Sequence, residues 1–437
     1  MNPRGRVYDR EIARLAVPAL GSLAAEPLYI LVDTAVVGHL GTRELGGLAI
    51  AGTLLTTGFF LFNFLAYGTT ASVARALGGG DHRGAASHAV HGLWAAGVLG
   101  AALLLGWLAF ASPAVDAMGA GASVRSFALT YLRISALGSP AMLIMLVGMG
   151  YSRGLQNTST PLVIALAANA ANLIVELILI YGAGWGIEAS AWATVWAQWG
   201  GAAVYLAVMV RAVRAAGVSL RPRMREARAM ATMSAHLFLR TGSLLAALTV
   251  ATAVAARLGT VPVAAHQIAF QLWSFLALVL DAIAIAGQAM IGMLLGAGDA
   301  DGARAAAARM VRWGVVAGLA FGVGVVAVRP VLGGAFTADP AVRALLGDVL
   351  WIVAILQPIN AIVFVLDGVL IGAGDARYLA AAMGAASIAF LPLAFAVVAV
   401  DASLPVLWGA IGVLMLVRLA GVGSRFAGGR WQVVGLR

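Results

Sequence analysis

The sequence contains no cysteine and no lysine, and little charge of any kind: Asp, Glu, Lys and Arg together make up 11% of its 437 residues. Without cysteine there is no disulfide framework and no thiolate metal site, and cysteine usage says nothing about redox compartment. A soluble domain carries about a quarter of its residues as charges, so that class is excluded. No GxxxxGK[ST] loop is present, which excludes a nucleotide-driven pump. The six histidines (His39, His82, His88, His91, His236, His266) form no ligand-spaced group inside an apolar run. This argues against a membrane-embedded metalloenzyme, and no cofactor or resident metal is expected. What the chain has instead is apolar surface: 62% hydrophobic residues and a mean hydropathy of +0.95. It reads as a polytopic membrane protein.

Twelve apolar runs are long enough to cross a bilayer, near 12–38, 46–76, 89–111, 127–151, 160–181, 187–210, 233–257, 263–296, 309–332, 343–371, 377–400 and 404–423. The first is too long for a signal peptide and lacks a small-residue cleavage site, so it is expected to remain as a helix. All 28 basic residues are arginine, and the net charge is +10. Twenty-one arginines fall on one side of the predicted spans, counting the N-terminus, the linker Arg211 to Arg228 and a tail of Arg418, Arg425, Arg430 and Arg437. Six fall on the other side, and Arg240 lies inside a span. The bias has a membrane explanation and calls for no nucleic acid; it places both termini in the cytoplasm.

The halves repeat. Leu40-Gly41-Thr42 recurs as Leu258-Gly259-Thr260, and Leu77-Gly78 with Gly80-Asp81 recurs as Leu295-Gly296 with Gly298-Asp299. Pro140 pairs with Pro358 and Gly154 with Gly372, all at one offset of 218 residues. Six spans per half make the copies enter the membrane in the same direction, a parallel repeat with a site between or within two lobes. The expected division is an N-lobe over 1–210, a cytoplasmic linker over 211–232 and a C-lobe over 233–437.

Charges buried in such a chain are costly and mark function by default. Glu26 and Asp33 lie in the first span seven residues apart, two turns on one face. Pro27 removes a backbone donor beside Glu26 and predicts a hinge. A cation or proton site fits this pattern; so do two acids neutralised by hydrogen bonds from neighbouring helices. Asn169, Asn172 and Glu176 form a second stripe in the fifth span.

The run Val32 to Thr42, Ala265-His266-Gln267, Gly296 to Asp299 and Leu366 to Arg377, in two six-helix lobes, resembles the multidrug and toxic compound extrusion (MATE) transporters. Glu26-Pro27 with Asp33 resembles their DinF branch. The resemblance spans essentially the whole chain and implies a V-shaped, bilobed, all-α fold of twelve transmembrane helices. It also implies a monomeric inner-membrane antiporter that exports cationic or amphipathic small molecules in exchange for H⁺ or Na⁺. The family's N-lobe cation site carries over to Asp33, Asn172, Glu176 and Thr194, with Glu176 standing where relatives usually have Asp. Span positions put Asp33, Glu176 and Thr194 at similar depth, roughly 7–10 Å above the midplane. Hard oxygen ligands suit a small cation, and paired carboxyls also suit a shared proton.

Other polar residues are weaker candidates. Asn63 and Asp281, one repeat offset apart, are read with Gln267, Met142, Met145 and Trp273 as substrate-cavity positions. Asp367 and His266 are read as gate or structural residues. The seventh span has no carboxylate, so the acidic C-lobe site of the NorM branch is not expected. The rival reading is a lipid or lipid-linked oligosaccharide flippase of the same superfamily, which more often has two further spans and a basic central cavity.

Overall fold

The computed structural model describes residues 3–435; Arg437, counted in the basic tail, lies outside them. Among the described residues every regular element is helical. The first half comprises α1 (Pro3–Gly38), α2 (Thr42–Phe60), α3 (Phe64–Gly78), α4 (His82–Ala117), α5 (Ala122–Ala136), α6 (Ser139–Gly154), α7 (Ser159–Leu177) and α8 (Ile187–Ala215). The second half comprises α9 (Met224–Arg257), α10 (Thr260–Gly296), α11 (Ala300–Phe336), α12 (Pro340–Gly372), α13 (Ala376–Ala399) and α14 (Leu404–Ala427). A single 3₁₀ turn joins α2 to α3, so both belong to one span, Thr42–Gly78. Eleven spans are long and apolar enough to cross a membrane, and the bent pair α5–α6 makes a twelfth. The chain is therefore an all-α, multi-pass membrane protein, as its hydropathy predicts.

Several helices outrun their apolar runs because polar caps extend them. Asp81 and Asp299 each accept a hydrogen bond at 2.7 Å from a backbone N–H three residues on, Gly84 and Gly302, and so start α4 and α11. The preceding glycines, Gly80 (φ 72°) and Gly298 (φ 81°), take the left-handed conformation that ends a helix cleanly. The repeat seen in sequence is thus a repeat of capped turns.

It is also a repeat of helix crossings. Gly154 in α6 meets α3 so closely that an added Cβ would stand 3.0 Å from the Thr70 carbonyl oxygen. At the equivalent place in the second half, a Cβ on Gly372 of α12 would stand 2.6 Å from the Gln288 carbonyl oxygen of α10. Gly100 faces Pro140, and Gly318 faces Pro358, again at one offset. Small residues let helix backbones approach where lipid supplies no hydrophobic drive between helices. Gly154→Val and Gly372→Val are each expected to cost about 1–3 kcal/mol by overpacking. Thermal unfolding midpoints read the loss, and Gly384→Ala is the neutral control because its Cβ would meet nothing within 4 Å.

The two copies differ at their prolines. Pro140 stands just after a break at Leu137–Gly138, where the axis bends by 51°. Pro358 lies inside the unbroken α12. Both remove a backbone donor, but the residue two before Pro140 is Gly138, and the residue two before Pro358 is Leu356. The helix gives way only where glycine adds its freedom to the missing bond.

The chain forms two compact units. One is Val17–Ala231; the other joins the start of α1, as far as Ala16, with the chain from Thr232 onward. The second unit has an extensive apolar core built around Trp408, Phe390, Leu346 and Leu407. In the first, Val37, Leu132, Ile187 and Ala191 are among the residues that pack α1, α5 and α8 together around the polar cluster described next.

Candidate functional site

Three helices of the Val17–Ala231 unit bring polar side chains into an apolar setting. Asp33 of α1 is 4% exposed, and Glu176 of α7 is 0% exposed. Asp33 and Glu176 interact side chain to side chain. Asn172, one turn before Glu176 on α7, is buried as well. From α8 come Ser190 and Thr194, four residues apart and so on one stripe.

Their hydrogen bonds have a direction. The Ser190 hydroxyl donates to Asp33 Oδ1 at 2.6 Å. Asn172 Nδ2 donates to the Tyr29 hydroxyl at 2.8 Å and to Thr194 Oγ1 at 3.2 Å. The Tyr29 and Thr194 hydroxyls lie 3.2 Å apart. Asn169 instead donates to the backbone carbonyl of Ala25 at 2.9 Å, tying α7 to α1. Three acceptors remain without a donor: both carboxyl oxygens of Glu176 and Oδ1 of Asn172. Most buried acceptors in proteins are satisfied, and two carboxylates side by side repel. A proton or a small hard cation would relieve both problems, and an all-oxygen donor set fits either. A widened, π-type turn follows Glu176 at Ile178–Gly182, a distortion often found where helices carry functional groups.

The sequence reading groups Asp33, Asn172, Glu176 and Thr194, and the structure brings these four together. It adds two members that the sequence reading leaves out, Ser190 and Tyr29. Each stands four residues before a grouped residue on the same helix, Thr194 and Asp33, and that spacing is the signal available in the sequence. Glu26 is different. It shares a helix with Asp33, yet its side chain is exposed and takes no part in these bonds, so the two-acid stripe on α1 reduces to Asp33. Pro27 lies within α1, which continues as helix through it.

The remaining candidates are dispersed. Asn63 occupies the 3₁₀ turn between α2 and α3, and Asp281 is half-buried midway along α10. Met142 and Met145 are half-buried on α6, and Gln267 is exposed on α10. Trp273, read as lining a cavity, is 6% exposed and packs in the apolar core of its unit beside Phe270. His266 is fully buried, 3.2 Å from the Thr252 hydroxyl and next to Trp408. Asp367 has the firmest contacts: Oδ2 accepts from Arg240 at 2.5 Å and from Arg418 at 2.6 Å. Arg418, counted in the sequence with a solvated tail, is therefore a buried member of α14 at 3% exposure. Among the described residues no three His, Asp or Glu side chains gather as a metal site.

A duplicated set of membrane-length helices with ionisable groups buried inside it is an architecture found among membrane transporters. A family model described as MatE matches this chain twice, over residues 18–178 and 243–396. The chain is 32% identical over 429 residues to Protein DETOXIFICATION 44, chloroplastic, of Arabidopsis thaliana, covering 94% of this chain and 80% of that one. It is 30% identical over 395 residues to DNA damage-inducible protein F of Escherichia coli (strain K12), covering 87% and 84%. Among solved structures, an outward-facing multidrug resistance MATE family transporter of the MOP superfamily superposes with a TM-score of 0.85. That match is 20% identical in sequence and covers 97% of each chain. The chain belongs to the MatE family, whose members are transporters and not enzymes.

Proposed function

We propose that the protein exports cationic or amphipathic small molecules by alternating access, in exchange for H⁺ or Na⁺ bound at the Asp33–Glu176 cluster. One observation carries this reading: three buried acceptors on Glu176 and Asn172 have no donor. Occupancy by a cation changes the charge of the cluster and the packing of α1, α7 and α8 around it. A ligand shifts a conformational equilibrium only through unequal affinity for the two states, and a charge-changing ion at this cluster supplies that inequality. Ion and substrate then compete through the conformations they favour. The solved transporter on which this chain superposes is a multidrug resistance protein, which agrees with this substrate class. The arginine bias favours both termini on the cytoplasmic side, and the family likeness favours an inner-membrane transporter acting as a monomer.

The experiment is transport in vesicles containing the purified protein, with pH and Na⁺ gradients imposed independently and a fluorescent organic cation as substrate. One of the two gradients is expected to drive accumulation, and the one that does identifies the coupling ion. Equal, uncoupled movement with and without either gradient would overturn the antiport reading.

A further inference from the structure

Each half of the chain is preceded by a short polar segment, and each segment is fastened to the half it does not lead into. The start of α1 leads into the Val17–Ala231 unit but clusters with the other unit. There Asp9 accepts a bidentate pair from Arg309 of α11 (Nε at 2.6 Å, Nη2 at 2.5 Å) and a third bond from Trp313 Nε1 at 2.8 Å. The segment Ala216–Ala231 leads into the second half but belongs to the first unit. There Ser87 of α4 donates to Glu226 at 2.7 Å, and Trp94 Nε1 donates to the Leu220 carbonyl at 2.9 Å. The Arg223 backbone N–H donates to His91 Nε2 at 3.0 Å. Donation from Ser87 holds the Glu226 carboxyl below the usual carboxylate range, so it is charged at neutral pH.

The two fastenings are related by the repeat. His91 and Arg309 are 218 residues apart, Glu226 and Asp9 217, and Trp94 and Trp313 219. In each, an acid on the incoming segment bonds a polar side chain on the third span of the opposite half, and a tryptophan of that span bonds the same segment, at Asp9 itself in one and at the Leu220 carbonyl in the other. The residue types differ, His for Arg and Ser added, but the acid and the tryptophan are kept.

We propose that these are reciprocal clasps that open together when the transporter changes conformation; the inference rests on the alternating-access reading above. α1 and α9 each begin in one unit and continue unbroken into the other. Any displacement of the units loads both helices at once and is taken up by bending, for which α1 has Pro18 and Pro27, or by opening a clasp. Breaking backbone bonds of a helix inside hydrocarbon leaves polar groups that nothing solvates. The clasps are half-exposed (Asp9 26%, Arg309 31%, Glu226 36% by side chain), so water re-solvates their groups on opening. The clasps are the weaker link.

The chain has no cysteine, which makes the test clean. Ser87→Cys with Glu226→Cys, joined by a short bis-maleimide in the full-length protein in lipid, locks the linker clasp. Hydrogen exchange is then followed in both segments. The locked protein is expected to show exchange slowed by about fivefold or more in residues 6–16, which the cross-link does not touch. Unchanged exchange there would overturn the proposal. Asp9→Asn tests the other direction without a cross-linker: exchange in residues 216–231 should quicken, and an unaltered rate would likewise overturn it. Neither readout needs a transported substrate. Failure of the vesicle assay would therefore count against the export reading and leave this measurement standing on its own.

Discussion

Glu176→Gln and Asp33→Asn are each expected to reduce gradient-driven transport to the level of vesicles lacking the protein, with normal amounts of folded protein in the membrane. Both substitutions keep size and shape but remove the charge that a bound cation balances. They differ in what they do to the orphaned acceptors. In Glu176→Gln the new amide brings its own donors to a cluster that lacks them, so hydrogen bonding improves and the folded state holds. In Asp33→Asn the Ser190 hydroxyl still finds an oxygen acceptor. Loss of transport with retained stability is therefore the signature of an ion site, whereas a purely structural cluster would respond in stability first. Glu176→Asp should retain transport with an altered apparent affinity for the coupling ion, because it keeps the charge and shortens the reach by one methylene. Glu26→Gln should have little effect, since its side chain is exposed and outside the cluster. A Glu176→Gln protein that still accumulates substrate against a gradient would remove the coupling role.

The legible parts of this molecule are those where one residue type answers one physical demand. Gly154 and Gly372 repeat because two backbones cross there and any side chain collides. Gly80-Asp81 and Gly298-Asp299 repeat because one turn needs a left-handed residue followed by a cap. Asp33 and Glu176 stand out because a carboxylate in an apolar run is costly unless something balances it. For Ser190 and Tyr29 the only signal is their four-residue spacing, and for Ser190 even that is weak, since a short hydroxyl in a membrane helix often bonds its own backbone, as Thr53 does to the Ala49 carbonyl. Only the fold shows that Ser190 turns to Asp33 instead. Arg418 is misplaced for a related reason: an arginine near a helix end reads as a solvated residue, and its burial depends on Asp367, 51 residues earlier in the chain. Glu26 misleads in the opposite sense. Helical spacing puts it near one stripe with Asp33, but α7 packs there against the Ala25 side of α1 and leaves the Glu26 side chain exposed, which spacing alone does not show.

Asp367→Asn is expected to prevent stable accumulation of the protein, whatever it does to transport. Oδ2 of Asp367 takes one guanidinium from α9 and one from α14, and the side chains of all three residues are at most 12% exposed. A buried ion pair adds little over well-packed apolar residues, but removing one partner leaves an uncompensated charge and costs about 3–5 kcal/mol. Here one carboxylate serves two cations, so its loss takes a shared partner from both. Against a total stability of about 5–15 kcal/mol, that is a large fraction. Arg418 keeps some help: it lies over the Phe364 ring and feels the charge of Asp281. Arg418→Met with Asp367 intact should therefore be milder than Asp367→Asn, because the acid still has Arg240. Replacing all three (Arg240→Met, Asp367→Leu, Arg418→Met) should restore much of the folded yield, since no member of the cluster is then left charged, although Asp281 loses the nearby Arg418 charge. Fluorescence-detected size exclusion and thermal unfolding of the detergent-solubilised variants read these differences. If the triple variant folds and still transports, the cluster ties α9, α12 and α14 together and nothing more. If it folds but cannot transport, the ion cluster is part of the moving machinery of its half, and the acid that matters there is one that the conformational change must repeatedly unpair.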